Sequence, residues 1–245
     1  MRTAALIALA ALGVSIHAAD LDSLAASNIL DPEKEGQELA ARLRSAAPVE
    51  SADIQGLLTI STRDDQMFFI PVVSHVNLSP TNWQVVYQSA PTNGSPAEKL
   101  VITHDTGKPT KYELSVGASS IQNVPLHRPF AGSDFWLVDL GLEFFHWPQQ
   151  RAIRAEMSRG RPCRVLESMT PAATSDGYAR VLSWVDNETG GVIRAEAYDQ
   201  QGKLVKKFTL GSFTKVEGQW QLRDMRIISP RTGQDTVLKF DLTGN

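Results

Sequence analysis

The feature that most constrains this chain is an alternation of apolar and polar residues with a period of two, which begins at about Asp53. It is clear in the segments Leu58–Ile60, Trp83–Tyr87, Tyr112–Val116 and Thr236–Leu242. Successive side chains of a β-strand point to opposite faces, so this period is typical of strands with one buried and one wet face. The segments are short and are separated by turn residues, which predicts a mainly antiparallel β fold.

One apolar run departs from the alternation. Met67–Val73 is apolar at nearly every position, which favours a strand in the middle of a sheet. Pro71 favours an edge or a bulge instead, because proline donates no hydrogen bond to a neighbouring strand. From Ile153 to Leu242 the alternation continues without a composition break or a long linker. We therefore expect a single domain over residues 19–245.

One amphipathic helix precedes the strands. Asp31 is a suitable N-cap and Pro32 suits the first helical position, while Leu39 and Leu43 lie one turn apart on one face. Pro48 ends the pattern. The apolar stripe is narrow, so we expect this helix to pack on a larger element.

The N-terminal residues indicate export. A single basic residue, Arg2, precedes the apolar stretch Ala4–Ile16, and small residues follow it. This order is typical of a signal peptide over residues 1–18, with cleavage after Ala18 or after Ala19. A buried N-terminal helix is the alternative. The stretch is too short to span a bilayer and no later segment is apolar enough, so we expect a soluble periplasmic protein.

Charge and cysteine content narrow the partners. The formal net charge is −3, which argues against nucleic acid because phosphate binding needs a concentrated positive surface. Cys163 is the one cysteine. It lies far from the signal, so the chain is not expected to be a lipoprotein, and it allows no internal disulfide. In a strand, a small buried hydrophobe is a better interpretation of Cys163 than a reactive thiol.

The most informative stretch lies between Pro125 and Pro148. Ser133 or Asp134 can cap a helix that starts at Phe135. In that helix apolar side chains would surround most of the circumference: Phe135, Trp136, Val138, Leu140, Leu142, Phe144 and Phe145. Such a helix must be buried on most sides, or must face something apolar that is not always present.

Several short motifs, taken in order, carry a family resemblance. They are the Asp-Pro helix, Gly132–Phe135 with Asp139-Leu140, Cys163–Glu167, Tyr178, Ser183–Asp186, Glu196–Asp199, Gly202–Leu204, Gly218–Trp220 and the strand of Met225. In this order the chain resembles the outer-membrane lipoprotein-sorting protein family, relatives of the carrier LolA. The resemblance covers roughly Asp31 to Leu242 and is strongest after Pro129. The order and spacing of the motifs carry it, since no single one is specific.

The resemblance implies a curved antiparallel sheet that forms an open half barrel, with a helical lid on its concave side. It also implies an apolar cavity for lipid or lipoprotein acyl chains. The lid residues that would contact those chains are Phe135, Trp136, Val138, Leu140, Phe144 and Phe145. The alternative is that these side chains fill the half barrel as a permanent core. The basic residues that such carriers use near the cavity mouth have no assignable counterpart in this sequence.

We expect no enzyme. GxSxG, HExxH, CxxC and P-loop patterns are absent from the sequence, and the histidines have no metal-ligand spacing. No catalytic residue, metal site or cofactor is therefore predicted. Carboxylates that meet only in space leave no sequence pattern, so an exported hydrolase stays as a third hypothesis.

One basic cluster is a candidate docking patch for anionic headgroups or for an acidic partner, and it comprises Arg151, Arg154, Arg159 and Arg161. The alternative is a solvated hairpin whose charges are balanced by neighbours such as Glu156 and Glu167. The leading functional hypothesis is a periplasmic carrier or chaperone for a lipid or a lipidated protein. The second is a periplasmic interaction module of an export pump or envelope complex that holds no lipid.

Overall fold

The computed structural model describes residues 29–48, 50–92, 94–105, 108–170, 177–216 and 219–241. The predicted signal peptide at residues 1–18 lies outside this part of the chain. Two compact units make up the fold. Unit 1 contains Ala47–Leu142 and the residues from Leu210 onward, and unit 2 contains Glu143–Thr209 and the helix before Ala46. The expectation of a single domain over residues 19–245 stays a prediction.

Strands dominate the described residues, as the alternation predicts. They are β1 (Ala52–Ser61), β2 (Met67–Leu78), β3 (Asn82–Ser89), β4 (Glu98–Asp105), β5 (Lys111–Val116), β6 (Ser119–Ile121), β7 (Gln149–Ser158), β8 (Arg161–Met169), β9 (Arg180–Asp186), β10 (Val192–Tyr198), β11 (Leu204–Leu210), β12 (Phe213–Val216), β13 (Gln219–Leu222), β14 (Asp224–Ser229) and β15 (Gln234–Asp241). The helices are α1 (Pro32–Ser45) and α2 (Leu137–Leu140), and a 3₁₀ turn covers Glu143–His146. The mainly β class is confirmed.

Unit 1 is an antiparallel sheet with the strand order β6-β5-β4-β3-β2-β1-β15-β14. The register places Leu58 opposite Ile70 on one side and opposite Leu238 on the other. It likewise places Tyr87 opposite Leu100. These five side chains are buried. One face of the unit 1 sheet is therefore apolar and covered, and we call it the buried face.

The register of β2 explains the mixed signal in its sequence. β3 pairs with β2 from Val72 onward, and the carbonyl of Pro71 accepts the last of these hydrogen bonds from the N–H of Ala90, at 2.8 Å. Met67–Ile70 pairs with β1 alone among the described strands. The strand is thus central beyond Pro71 and an edge before it, so proline stands where it removes no hydrogen bond.

Unit 2 is a five-stranded antiparallel sheet, β11-β10-β9-β8-β7, with α1 packed on β7. The predicted N-cap is confirmed, since a carboxylate oxygen of Asp31 accepts from the N–H of Lys34 at 3.0 Å. The carboxylate of Glu35 in α1 forms an ion pair with the guanidinium of Arg164 in β8, at 2.6 Å. Leu39 is buried, which fits the expectation that the helix packs on a larger element.

No helix among the described residues is both long and apolar enough to cross a membrane.

At Gly36, α1 lies close to the backbone of its sheet. A Cβ added there would lie 2.5 Å from the backbone of Arg151. In an exposed helix, Gly to Ala stabilises by about 1 kcal/mol. Here we expect Gly36→Ala to lower the free energy of unfolding by about 2 kcal/mol, because backbone atoms cannot move aside as a side chain can.

The matched control is Glu38→Ala at an exposed position of the same helix, for which we expect a change within about 0.5 kcal/mol. Chemical denaturation of both variants decides the point. A Gly36→Ala protein that is as stable as the original would contradict this packing.

Candidate functional site

A long segment with little regular structure lies within unit 1, and we call Pro125–Leu142 the covering segment. It folds back on itself through backbone hydrogen bonds. The N–H of Phe130 donates to the carbonyl of Phe135 at 2.8 Å, and the N–H of Leu137 donates to the carbonyl of Arg128 at 3.1 Å. The segment is therefore a compact hairpin-like loop that ends in α2.

The single helix predicted from Phe135 to Phe145 is wrong. α2 has four residues and the 3₁₀ turn follows it separately. Between them, a Cβ at Gly141 would lie 2.1 Å from the hydroxyl of Tyr112, so the backbone passes this β5 side chain more closely than a residue with a Cβ allows. Leu142 then adopts a left-handed conformation with φ of 52°.

The two predicted caps of this helix, Ser133 and Asp134, form other hydrogen bonds. The N–H of Trp136 donates to the carboxylate of Asp139 at 2.8 Å, so Asp139 caps the short α2. Ser133 instead donates to the carbonyl of Phe130 at 2.6 Å and tightens the loop. Asp134 bonds to the sheet, as described below.

The apolar side chains of the covering segment are directed inward. Phe135, Val138 and Leu140 are buried, whereas Trp136 is half-buried. Phe130, also buried, meets the ring of Tyr87 edge-on at 6.2 Å between centroids. Since the register puts Tyr87 on the buried face, the segment covers that face.

A first polar anchor fixes the segment to β4. The carboxylate of Glu98 receives two hydrogen bonds from the guanidinium of Arg128, at 2.6 and 3.0 Å, and one from the N–H of Ala131 at 3.2 Å. Glu98 is only 8% exposed. A buried carboxylate is costly unless it is paired, so this bidentate pair allows the segment to close over β4.

A second polar anchor fixes the segment to β14 and β15. The carboxylate of Asp134 accepts from the hydroxyl of Ser229 at 2.5 Å and from that of Thr236 at 2.9 Å. The N–H of Asp134 bonds to the Thr236 oxygen at 3.0 Å. All three residues are buried, with Asp134 5% exposed. The segment is thus attached both to β4 and to the pair β14 and β15, and three other strands separate these attachment points in the sheet order.

The sequence interpretation missed both anchors, although a signal was present. Glu98 has the parity of Leu100 in β4, and Thr236 has the parity of Leu238 in β15. A polar residue on the buried parity requires a polar partner. Neither residue reveals that its partner lies more than twenty positions away.

The remaining lid candidates, Phe144 and Phe145, belong to unit 2. Their rings meet edge-on at 4.5 Å between centroids. The guanidinium of Arg44 in α1 donates to the carbonyl of Phe145 at 2.5 Å, and the buried amide of Gln150 donates to the carbonyl of Phe144 at 2.9 Å. The six candidates therefore form two groups, four in the covering segment and two beside α1.

The candidate docking arginines lie on or beside one face of the unit 2 sheet. A bulge between Ala152 and Arg154 brings Arg151 and Arg154 to the same face. Arg151 lies 3.8 Å from the carboxylate of Glu167, and Arg154 lies 2.6 Å from that of Glu156.

The other two arginines lie at the β7–β8 turn. Arg161 pairs with Asp186 and Glu188 at 2.7 Å each, and exposed Arg159 has a φ of 54° in the turn itself. Arg151, Arg154 and Arg161 thus have carboxylate neighbours. Among these carboxylates are Glu156 and Glu167, the two that the sequence suggested.

Three of the histidines contact an aromatic ring or a carboxylate. His104 stacks on Trp83 at 3.9 Å, His127 meets Trp136 edge-on at 5.6 Å, and His75 pairs with Asp53 at 2.6 Å. The residues that the structure describes contain no group of three potential metal-ligating side chains.

Cys163 is buried, and this burial, followed by the charge of Asp186, raises the pKa of its thiol to about 11. Little thiolate forms at neutral pH, and the thiolate is the reactive form. This agrees with the interpretation of Cys163 as a small hydrophobe.

Comparisons with known proteins identify relatives of this fold. A family model whose description reads "Uncharacterized protein" matches residues 118–243, just over half of the chain. No curated protein matches the sequence.

Three solved structures are similar over most of their length. A DUF1329 family protein from Desulfovibrio piger has a TM-score of 0.70 at 20% identity and covers 86% of this chain and 92% of its own. An outer-membrane lipoprotein-sorting protein domain from Vibrio parahaemolyticus has a TM-score of 0.66 at 18% identity, with coverages of 87% and 94%. A LolA superfamily protein from Nitrosomonas europaea has a TM-score of 0.60 at 17% identity, with coverages of 86% and 92%.

The second anchor makes a quantitative prediction. Asp134→Ala leaves the buried hydroxyls of Ser229 and Thr236 without their acceptor, so we expect the free energy of unfolding to fall by about 2 kcal/mol. Asp235→Ala is the matched control. Asp235 precedes Thr236 in β15, and its carboxylate is the partner of the exposed Arg226. The cost of this substitution should stay below about 1 kcal/mol. Equal losses in urea denaturation would show that Asp134 does not anchor the segment.

Proposed function

Because the chain belongs to the family whose model matches residues 118–243 and shares its fold with LolA-superfamily and lipoprotein-sorting proteins, we propose that it is a non-catalytic periplasmic carrier for acyl chains. Its cargo is a lipid or a lipidated protein. The observation that carries this proposal is the covering segment, whose buried apolar side chains lie on an apolar sheet face and whose attachment includes two polar anchors.

The anchors suit a segment that can leave the sheet. The backbone hydrogen bonds of the segment join mainly its own residues to each other. Its hydrogen bonds to the sheet include those of Glu98, Ser229, Thr236 and Gln234. When such side-chain bonds break, water can satisfy each polar group that is exposed. The segment can then move as a unit without unpairing any strand.

In this proposal the unit 1 sheet curves around the covering segment, as a half barrel would. One short stretch of the segment, from Ala131 to Asp134, bonds to β4 at one end and to β15 at the other, and these strands are four spacings apart in the sheet order. A sheet that bends toward the segment shortens the distance that the side chains of Glu98 and Thr236 have to reach.

The free energy lost when the covering segment leaves the sheet is comparable to the free energy gained when an acyl chain takes its place. Exposing the buried side chains of Phe130, Phe135, Leu137, Val138 and Leu140 costs about 1.5–3 kcal/mol each. An acyl chain gains about 0.8 kcal/mol for each methylene that it buries, or about 12 kcal/mol for sixteen carbons. One acyl chain can therefore replace the covering segment on the buried face. An exchange close to balance allows both uptake and release.

Phe135, Val138 and Leu140 are the proposed acyl contacts, with Trp136 at the surface of the segment. Phe144 and Phe145, which belong to unit 2, stay lipid contacts that the family resemblance predicts and are not part of the site proposed in unit 1. The lipoprotein-sorting relative from Vibrio parahaemolyticus supports a lipidated protein as cargo and a periplasmic location.

The cargo proposal predicts that an anchor variant binds lipid more strongly. Arg128→Leu weakens the closed state, and the apparent affinity for a ligand rises with the population of the open state. We expect the protein to carry acyl lipids when it is prepared from membranes under mild conditions. We also expect Arg128→Leu to bind a fluorescent sixteen-carbon fatty acid several-fold more tightly.

The control is Arg226→Leu, which removes an exposed ion pair with Asp235 and should leave lipid affinity unchanged. Circular dichroism establishes that both variants are folded. If mass spectrometry finds no lipid and neither variant takes up the probe, the covering segment is a permanent core and the carrier proposal fails.

The arginine patch supplies the proposed docking to anionic headgroups. Arg159 is the suitable residue for a test, since it is exposed in the β7–β8 turn and lies outside both strands. Arg159→Glu should lower the binding to vesicles containing phosphatidylglycerol about tenfold at low salt, as measured by sedimentation. High salt should also lower the vesicle binding of the original protein, because it screens the charges. The control is Arg63→Glu, at the exposed β1–β2 turn of unit 1. Unchanged sedimentation of Arg159→Glu would remove the docking role.

A further inference from the structure

Three consecutive large apolar side chains are exposed at the start of β2. Met67 is 55% exposed, Phe68 49% and Phe69 56%. They lie in the part of β2 that pairs with β1 alone among the described strands. Adjacent exposed apolar residues of this size mark interaction sites.

On the side away from β1, the backbone of Met67–Ile70 has no partner strand among the described residues. In an antiparallel strand successive residues direct their N–H and C=O groups to opposite sides. The N–H of Thr62 donates to the carbonyl of Gln66 at 2.9 Å, and the N–H of Ala90 donates to that of Pro71 at 2.8 Å. Residue 66 therefore faces β1 and residue 71 faces the β3 side. By alternation, Met67 and Phe69 direct their peptide groups to the edge that β3 leaves open.

We propose that this edge of β2 binds an extended segment of a partner protein, which adds one strand beside Met67–Ile70. Main-chain hydrogen bonds to Met67 and Phe69 would hold the segment, and its side chains would pack on the exposed apolar ones. This is recognition by β-strand addition.

The alternation of the side chains favours a strand over a flat surface. Phe68 lies on the face of Ile60, whereas Met67 and Phe69 lie on the opposite face. A flat partner surface covers one face of the sheet only. An added strand extends both faces at once and so contacts Phe68 and Phe69 together.

Charge identifies the partner and argues against a bilayer. Asp64 and Asp65 are exposed in the turn that leads into Met67. Insertion of this turn into a membrane would bury both carboxylates, which is costly. An added strand antiparallel to β2 runs in the direction of β3, so its C-terminal end lies beside these carboxylates. The partner segment is therefore apolar at alternate positions and basic at its C-terminal end.

The size of the patch argues against a second copy of the chain. Three half-exposed side chains offer on the order of 300 Å², well below the roughly 800 Å² per partner of a stable interface. A peptide strand needs less area, because its main-chain hydrogen bonds contribute as well.

A synthetic peptide tests the proposal with the full chain. The probe has alternating valine and threonine followed by two C-terminal lysines, with blocked ends, and its binding is followed by amide shifts in NMR spectra. We expect saturable shifts centred on Met67 and Phe69, and slower hydrogen exchange at the Phe69 N–H. Phe69→Lys should weaken binding at least tenfold.

Matched controls separate the possible occupants. Leu78→Lys, at the other exposed end of β2, should bind like the original protein, and a probe ending in two glutamates should bind at least tenfold more weakly. Lipid uptake should not change in Phe69→Lys, which distinguishes this edge from the proposed cargo site.

Several results would overturn the proposal. They are no shift at millimolar peptide, equal binding by Phe69→Lys, or equal binding of the glutamate probe. Self-association lost in Phe69→Lys would identify a second copy as the occupant, and vesicle binding lost in it would identify a bilayer.

Discussion

A sheet with one apolar face must cover that face, and in unit 1 a loop supplies the cover. Strands contribute side chains to the buried face in register, so Leu58, Ile70 and Leu238 form one continuous apolar row. No helix of ordinary length lies on it within the described part of unit 1. The covering segment does so with its own apolar side chains, and two buried carboxylates, Glu98 and Asp134, fix its position. Specific polar bonds determine where it rests, while nonspecific apolar contact supplies most of the stabilisation.

The difference between polar anchors and apolar contacts relates the fold to the proposed function. Apolar contact tolerates replacement, because an acyl chain satisfies an apolar face as well as phenylalanine does. Polar anchors do not tolerate it, because a lipid tail offers nothing to Glu98 or Asp134. In the proposed exchange, opening exposes these carboxylates to water, and closing restores their bonds to Arg128 and Thr236. The anchors then favour the closed state of the segment, and closure stays reversible.

Local signals in the sequence predicted much of the fold. Asp31 and Pro32 specify the start of α1 through contacts within one helical turn, and period-two alternation specifies the strands through their own side chains. The predicted helix over Phe135–Phe145 was wrong because the chain leaves the helical conformation at Leu142, whose φ is 52°, and a pattern of apolar residues does not record such a break. Tyr112 of β5 occupies the space beside Gly141, and nothing near Gly141 in the sequence records this.

The candidate site was less predictable for the same reason. The apolar residues of the covering segment were identified, but the division between Leu140 and Phe144 and the partners of the anchors were not. In unit 2, the grouping of Arg151 with Arg154 depends on a bulge at Ala152, which a regular period of two does not predict. Pairings across a sheet depend on register, and register is a property of two segments rather than of one.

Hydrogen–deuterium exchange with and without an acyl lipid tests the central claim most directly. The amides of Phe130, Leu137 and Val138 are bonded within the covering segment when it is closed, and those of Leu58 and Leu100 lie in paired strands. The account predicts that lipid accelerates exchange in the segment while the strands keep their protection. If exchange in the segment is unchanged under conditions where lipid is bound, the segment does not open and the account is wrong.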